Sequence, residues 1–139
     1  MRISAKAEYA CLAVLALARR REDQPPLRIR EISESHAIPE RYLVQILLQL
    51  KGAGLVVSTR GAAGGYRLAR PAELMTLGQV LSAIDGPDLA QREREEGDGP
   101  SARSLAAVWA AIRAAERSVL DSTSIAQLAA PPSPPDWVI

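Results

Sequence analysis

The chain has 139 residues, 47% of them hydrophobic, with a formal net charge of +1 and one cysteine. That length suits one packed domain that still gains from a dimer partner. No apolar run approaches the roughly 20 residues of a membrane span, and a lone cysteine excludes an intramolecular disulfide.

The charge is unevenly placed. Residues 1–71 hold 12 Lys/Arg against 6 Asp/Glu, a net of +6, whereas residues 72–139 hold 5 against 10, a net of −5. A basic first half is the electrostatic footprint of a phosphate-binding surface.

Ser4 is placed to cap a first helix running to about Arg20 that is apolar nearly all round and therefore sandwiched. Its stretch from Tyr9 to Ala18 mimics a signal-peptide core. It is short, however, has Glu8 at its edge and runs into Arg19-Arg20-Arg21, so it reads as a buried helix of a cytoplasmic protein. A proline-ended loop follows. Leu27-Arg28-Ile29 reads as a short strand and the next residues, from about Arg30 to Ser35, as a helix. Ser35-His36-Ala37 then turns into the second helix of this pair, which opens at Pro39 and Glu40.

In that second helix Leu43, Ile46, Leu47 and Leu50 recur at i, i+3, i+4 and i+7, so one face is buried. The opposite face carries Arg41, Val44, Gln45 and Leu48, flanked by Tyr42, Gln49 and Lys51. Gly52 and Gly54 read as the stop, because glycine accepts the left-handed cap conformation. Leu55 to Arg60 is β-branched and extended, and Tyr66-Arg67-Leu68 can return antiparallel to it. Gly61, Gly64 and Gly65 belong to the flexible tip between, with Arg60 and Arg67 at its base. Two helices joined by a short turn, then a basic hairpin, make a helix-turn-helix with a wing.

After Arg70-Pro71, Thr76 caps a helix with an apolar stripe of Leu77, Val80, Leu81 and Ile84, ending at Gly86-Pro87. Residues 87–100 read as an acidic loop. Residues 101–130 read as the longest helix, to about Leu120, followed by a short terminal helix from Ser124. Leu105, Val108, Trp109, Ile112 and Val119 fall on one side of the long helix, the surface expected of a dimer helix. Residues 131–139 are a proline-rich tail.

The chemistry that this pattern serves is DNA reading. Arg41 and Gln45, four residues apart, project together toward a major groove, where Arg suits guanine and Gln suits adenine edges. Arg60 and Arg67 suit a narrow minor groove or its phosphates. Val44 cannot accept from cytosine and suits a thymine methyl. No nucleophile–base pair, phosphate-cradling loop or ligand spacing appears, so enzyme activity has no support. The carboxylates of the acidic loop read as a solvated run rather than a metal site. Cys11, among alanines and leucines, reads as a buried apolar residue before a thiol sensor, and His36 has no partner for metal or triad chemistry.

RYLVQILLQLKGAGLVVSTRGAAGGYRLARP, together with the opening MRISAKAEYACLAVLALA, closely resembles the bacterial IscR/NsrR/CymR regulators of the Rrf-two family. The match runs from Met1 to about Gly86 and more weakly through the helix containing Trp109. The resemblance implies a mainly α winged helix-turn-helix with a small β-wing in residues 1–86, a long C-terminal dimerisation helix and binding of double-stranded DNA. It implies that Arg60, just before the first wing glycine, contacts DNA, and it nominates Arg2, Ser4 and Lys6 of the first helix for phosphates. Arg28, Pro39, Glu40 and Tyr66 complete the expected DNA-facing set. Two departures stand out. Val44 replaces a glutamate that in the iron–sulfur regulator helps to discriminate operators. The loop in which sensory members place three cysteines has no Cys or His here, so no iron–sulfur cluster or other cofactor is expected.

The expected protein is thus a homodimeric repressor on a palindromic operator. Its effector is open: a protein docking on the acidic half, or a small ligand entering beside the Trp109 helix. The competing reading is a winged-helix protein-interaction module or a partner-dependent regulator, with no autonomous specific DNA binding.

Overall fold

The computed structural model describes residues 2–86 and 99–131, so the acidic loop, but for its last two residues, and the tail beyond Pro131 lie outside the described residues. Helix α1 spans Ala5–Arg19, and Ser4 caps it as its position suggests, its Oγ accepting from the Ala7 amide at 3.0 Å. Ala7, Ala10 and Ala13 are fully buried with Val14 and Leu17. Small side chains at one-turn spacing let neighbours approach closely, and α1 packs against every other layer of the domain except the long helix, which makes it the central rod.

Helices α2 (Ile29–His36) and α3 (Glu40–Gly52) form the helix-turn-helix. The turn puts Ala37 at φ 53, ψ 42, a left-handed conformation that costs a non-glycine residue about 1 kcal/mol. Ile32, Ile38, Leu43, Ile46, Leu47 and Leu50 hold both helices on the common core, the face that the i, i+3, i+4, i+7 pattern designates. Pro39 is the N-cap of α3 rather than its first residue, and the helix includes Gly52. Of the two stop glycines only Gly54, at φ 77, takes a positive φ.

The wing pairs β1 (Val56–Thr59) with β2 (Gly65–Leu68) antiparallel, Val56 opposite Leu68 and Thr59 opposite Gly65. The strand expected at residues 27–29 is reduced to one residue. Leu27 bridges Tyr66 through backbone bonds of 3.1 and 2.7 Å, while Arg28 already caps α2 and Ile29 is its first residue. The hydrogen-bonding run stops there because the helix claims the next carbonyl, the Arg28 oxygen accepting from the Ile32 amide at 3.2 Å.

A 3-10 turn at Ala72–Leu74, which no sequence pattern announced, leads to α4 (Leu77–Asp85). Thr76 caps α4 in a reciprocal box with Gln79. The long helix α5 covers Pro100–Ser122, and a short α6 covers Ile125–Ala129. Backbone bonds from Leu77 to Thr123 and from Ile125 to Met75 clasp the chain end to the α4 entrance. Ile125 is fully buried, so α6 belongs to the domain core. By contrast, α5 buries no residue at all. The fold is mainly helical with a two-stranded wing and a long C-terminal helix.

Candidate nucleic-acid interface

With its inner face committed to the core, α3 leaves Arg41, Tyr42, Val44, Gln45 and Leu48 exposed. Arg41, Val44, Gln45 and Leu48 stand at i, i+3, i+4 and i+7, so they form one contiguous patch. Tyr42 leans on Tyr9 of α1, with ring centroids 6.4 Å apart, which ties α3 to the central rod. Pro39 and Glu40 are exposed at its leading end. Gln49, placed on the DNA side by spacing alone, is half-buried, and its Oε1 is enclosed without a hydrogen-bond partner among the described residues.

The helix and wing are braced against each other. Lys51 Nζ donates to Ser58 Oγ of β1 at 2.7 Å, so Lys51 links the end of α3 to the wing. Arg60 and Gly61 are exposed at the wing tip. Gly64 is buried, because its backbone lies against the Thr59 carbonyl.

Three residues expected at the DNA surface are held by the fold instead. Arg67 is half-buried and donates to the carbonyl oxygens of Gln24 and, at 3.4 Å, of Arg21. It therefore acts as a strut between the wing and the α1–α2 loop rather than as a free phosphate ligand. Tyr66 packs against the hydrophobic core behind β2. Ser4 spends its one hydroxyl proton on Asp85, at 3.0 and 3.2 Å to the two carboxylate oxygens, while its oxygen caps α1. Arg2 and Arg28 are exposed and Lys6 is half-exposed, so their charges remain available to a phosphate backbone.

Cys11 lies on α1, partly covered by the core. Burial first, then the negative charges of Glu8 and Asp85, push its thiol up from 9.0 to about 11. A thiol held protonated is a poor nucleophile, which speaks for the structural reading of this residue. Because the folded pKa is raised, the stabilisation is complete below the unfolded value of 9.0 and is lost as pH rises toward about 11. Native protein at pH 8 should therefore react with a disulfide reagent far more slowly than urea-unfolded protein. Cys11→Ala should flatten the alkaline decline in stability measured by urea titration. Equal native and unfolded reaction rates would refute this account.

An open cleft of about 390 Å³ lies between the base of the wing, α4 and the last turns of α5, bordered by Arg70, Gln79, Ser82, Arg117 and Asp121. Arg117 and Asp121 pair across one helical turn at 3.4 Å. The cleft adjoins the C-terminal end of α5 and is not lined by Trp109. No helix among the described residues is long and apolar enough to cross a membrane, and no group of three or more His, Cys, Asp or Glu there can hold a metal ion.

Comparison with known proteins bears directly on this surface. The model of the Rrf2 family, described as an iron-dependent transcriptional regulator, matches residues 3–131. An HTH-type transcriptional regulator of Mycobacterium tuberculosis is 41% identical over 133 residues, covering 93% of this chain and 81% of that one. The HTH-type regulator CymR of Bacillus subtilis is 36% identical over 129 residues, covering 93% and 90%. The solved structure of CymR, the global cysteine regulator of B. subtilis, superposes with a TM-score of 0.81 over 93% of this chain and 96% of that one, at 35% identity. The regulator IscR of Aliivibrio salmonicida is 34% identical over 130 residues, covering 92% and 77%.

Proposed function

The chain belongs to the Rrf2 family of DNA-binding transcriptional regulators, and on that premise we propose that it is a homodimer that represses by covering a palindromic operator, without an iron–sulfur cluster. The observation that carries the reading is the exposed Arg41–Val44–Gln45–Leu48 patch, braced by Lys51–Ser58 against a wing with Arg60 at its tip. An α-helix fits the major groove, and a wing beside it reaches the adjacent backbone or minor groove. Two such units related by a two-fold axis meet half-sites one helical turn apart. The dimer contact is assigned to α5, whose Leu105, Val108, Ile112 and Val119 are each about half exposed or more in the single chain.

Cluster independence rests on the donor set. Iron–sulfur clusters are held by thiolates, and the one cysteine of this chain sits on α1 with its thiol held protonated. Residues 87–98, between α4 and α5, contain neither Cys nor His. The residues present do not fit the group that the family description implies. Regulation then falls to a protein partner or a small ligand, and the site of action is the bacterial cytoplasm.

Selection of fragmented genomic DNA by the purified full-length protein at near-physiological salt tests the reading, with a common palindrome expected. On that duplex Arg41→Ala should weaken binding about ten-fold or more and relax the sequence preference. Arg60→Ala should weaken all sequences alike and lower the slope of log affinity against log salt by about 1. Unchanged affinity in both variants would exclude this face as the DNA surface.

A further inference from the structure

The recognition helix carries an apolar row beside its polar one. Val44 and Leu48 lie one turn apart and are 43% and 62% exposed, so neither serves the core. Single exposed leucines need no explanation, but these two are adjacent and lie beside Arg41 and Gln45 in the middle of the outer face of α3. Elsewhere on that face the chain places polar or charged groups.

We infer that Val44 and Leu48 together read the 5-methyl groups of two thymines in each operator half-site, with Leu48 a specificity-determining residue. This rests on the DNA-binding reading of α3. In the major groove the thymine methyl is the one apolar feature on a base-pair edge, and apolar side chains are what recognise it. Charge complementarity selects DNA over a protein partner as the occupant. The basic first half of the chain leaves Arg28, Arg41, Lys51 and Arg60 exposed, Arg41 and Lys51 on α3 itself, which suits a polyanion carrying embedded methyls. One helical turn advances the side chain by about 5–6 Å along the axis, against about 3.4 Å per base-pair step. The two methyls are therefore expected one to two steps apart. The polar row of Arg41 and Gln45 would fix the purines beside them.

Removal of a single methyl group tests this directly. The duplex enriched from genomic fragments by the full-length protein is resynthesised with each half-site thymine replaced in turn by deoxyuridine, which lacks only that methyl. Wild-type protein should lose about three- to ten-fold in affinity at two positions, the scale of burying one methyl group. Leu48→Ala should bind the thymine duplex more weakly and no longer distinguish thymine from deoxyuridine at one of the two positions. Val44→Ala should lose the distinction at the other. Leu48→Ala should unfold with the wild-type midpoint, since the side chain packs on nothing in the core.

Equal wild-type affinity for every deoxyuridine duplex overturns the inference and leaves the DNA-binding reading intact. So does a Leu48→Ala variant that retains full discrimination at both positions. Failure of the wild-type protein to enrich any common sequence overturns both together.

Discussion

Ile112→Glu should convert the protein to a monomer and lower its affinity for the intact palindrome by two orders of magnitude or more. In α5 the side chains Leu105, Val108, Ile112, Ala115 and Val119 are spaced by three, four, three and four residues, the spacing of a coiled-coil seam. No residue of α5 is buried in the single chain, and Ile112 is 46% exposed. An apolar seam left exposed on a helix of 23 residues, whose contact with its own domain is against α4, is stable when a second copy covers it. A glutamate in the middle of that seam would bury two carboxylates against each other across the two-fold axis, a cost that the seam cannot offset. Each monomer would then hold one half-site alone and lose the effective concentration that linkage provides, typically a factor of 10²–10⁴. Sedimentation equilibrium reports the mass, and titration against whole and half operators reports the affinity. A dimeric Ile112→Glu protein, or a monomer that grips the palindrome as tightly as wild type, would show that the subunits meet elsewhere. Because Ile112 is not part of the core, the variant's fold itself should survive.

Where local chemistry decided the outcome, the sequence was sufficient. The Ser4 and Thr76 caps, the buried row of α3 and the extent of α5 follow from residue type and spacing over a few positions. What spacing could not supply were contacts closed by tertiary structure. Arg67 looked like a phosphate ligand because it stands beside a glycine-rich tip. Its partners, however, are carbonyls 43 and 46 residues earlier in the chain. Ser4 looked available for DNA, yet its proton goes to Asp85, 81 residues away. Tyr66 shares its face of β2 with Leu68, and both pack against the core of the helical domain. The helix-turn-helix and wing were therefore legible as elements, while the partners that hold Arg67, Ser4 and Tyr66 were not. Leu48 was visible on the outer face all along. Spacing sets it apart from the leucines of the core, and its 62% exposure in the folded domain shows that nothing of its own chain covers that face.

Gly65→Ala should cost roughly 2–4 kcal/mol of stability and displace the wing. Gly65 sits at φ 152, where a side chain is rarely accommodated. A Cβ there would lie 2.5 Å from the Leu27 carbonyl oxygen, 2.8 Å from its carbon and 2.9 Å from the Pro26 carbon. All three are backbone atoms, so no rotamer change relieves the clash. The segment cannot simply retreat either. Leu27 exchanges both of its hydrogen bonds with Tyr66, the next residue of β2, and Arg67 beyond it is anchored to the same loop. Relief must break the Leu27–Tyr66 bridge, and with it the support that fixes the wing against α1. The loss should appear as a thermal midpoint lower by about 10 °C or more. At temperatures where the variant is still folded, its affinity for the operator should fall at least as far as that of Arg60→Ala, because the whole wing moves rather than one charge. Gly61→Ala provides the contrast within the same tip. Its added Cβ meets nothing within 4 Å, and its cost should be confined to the backbone strain at φ 103. If the two variants were equally stable, close packing of the Pro26–Leu27 segment on Gly65 could not be what positions the wing.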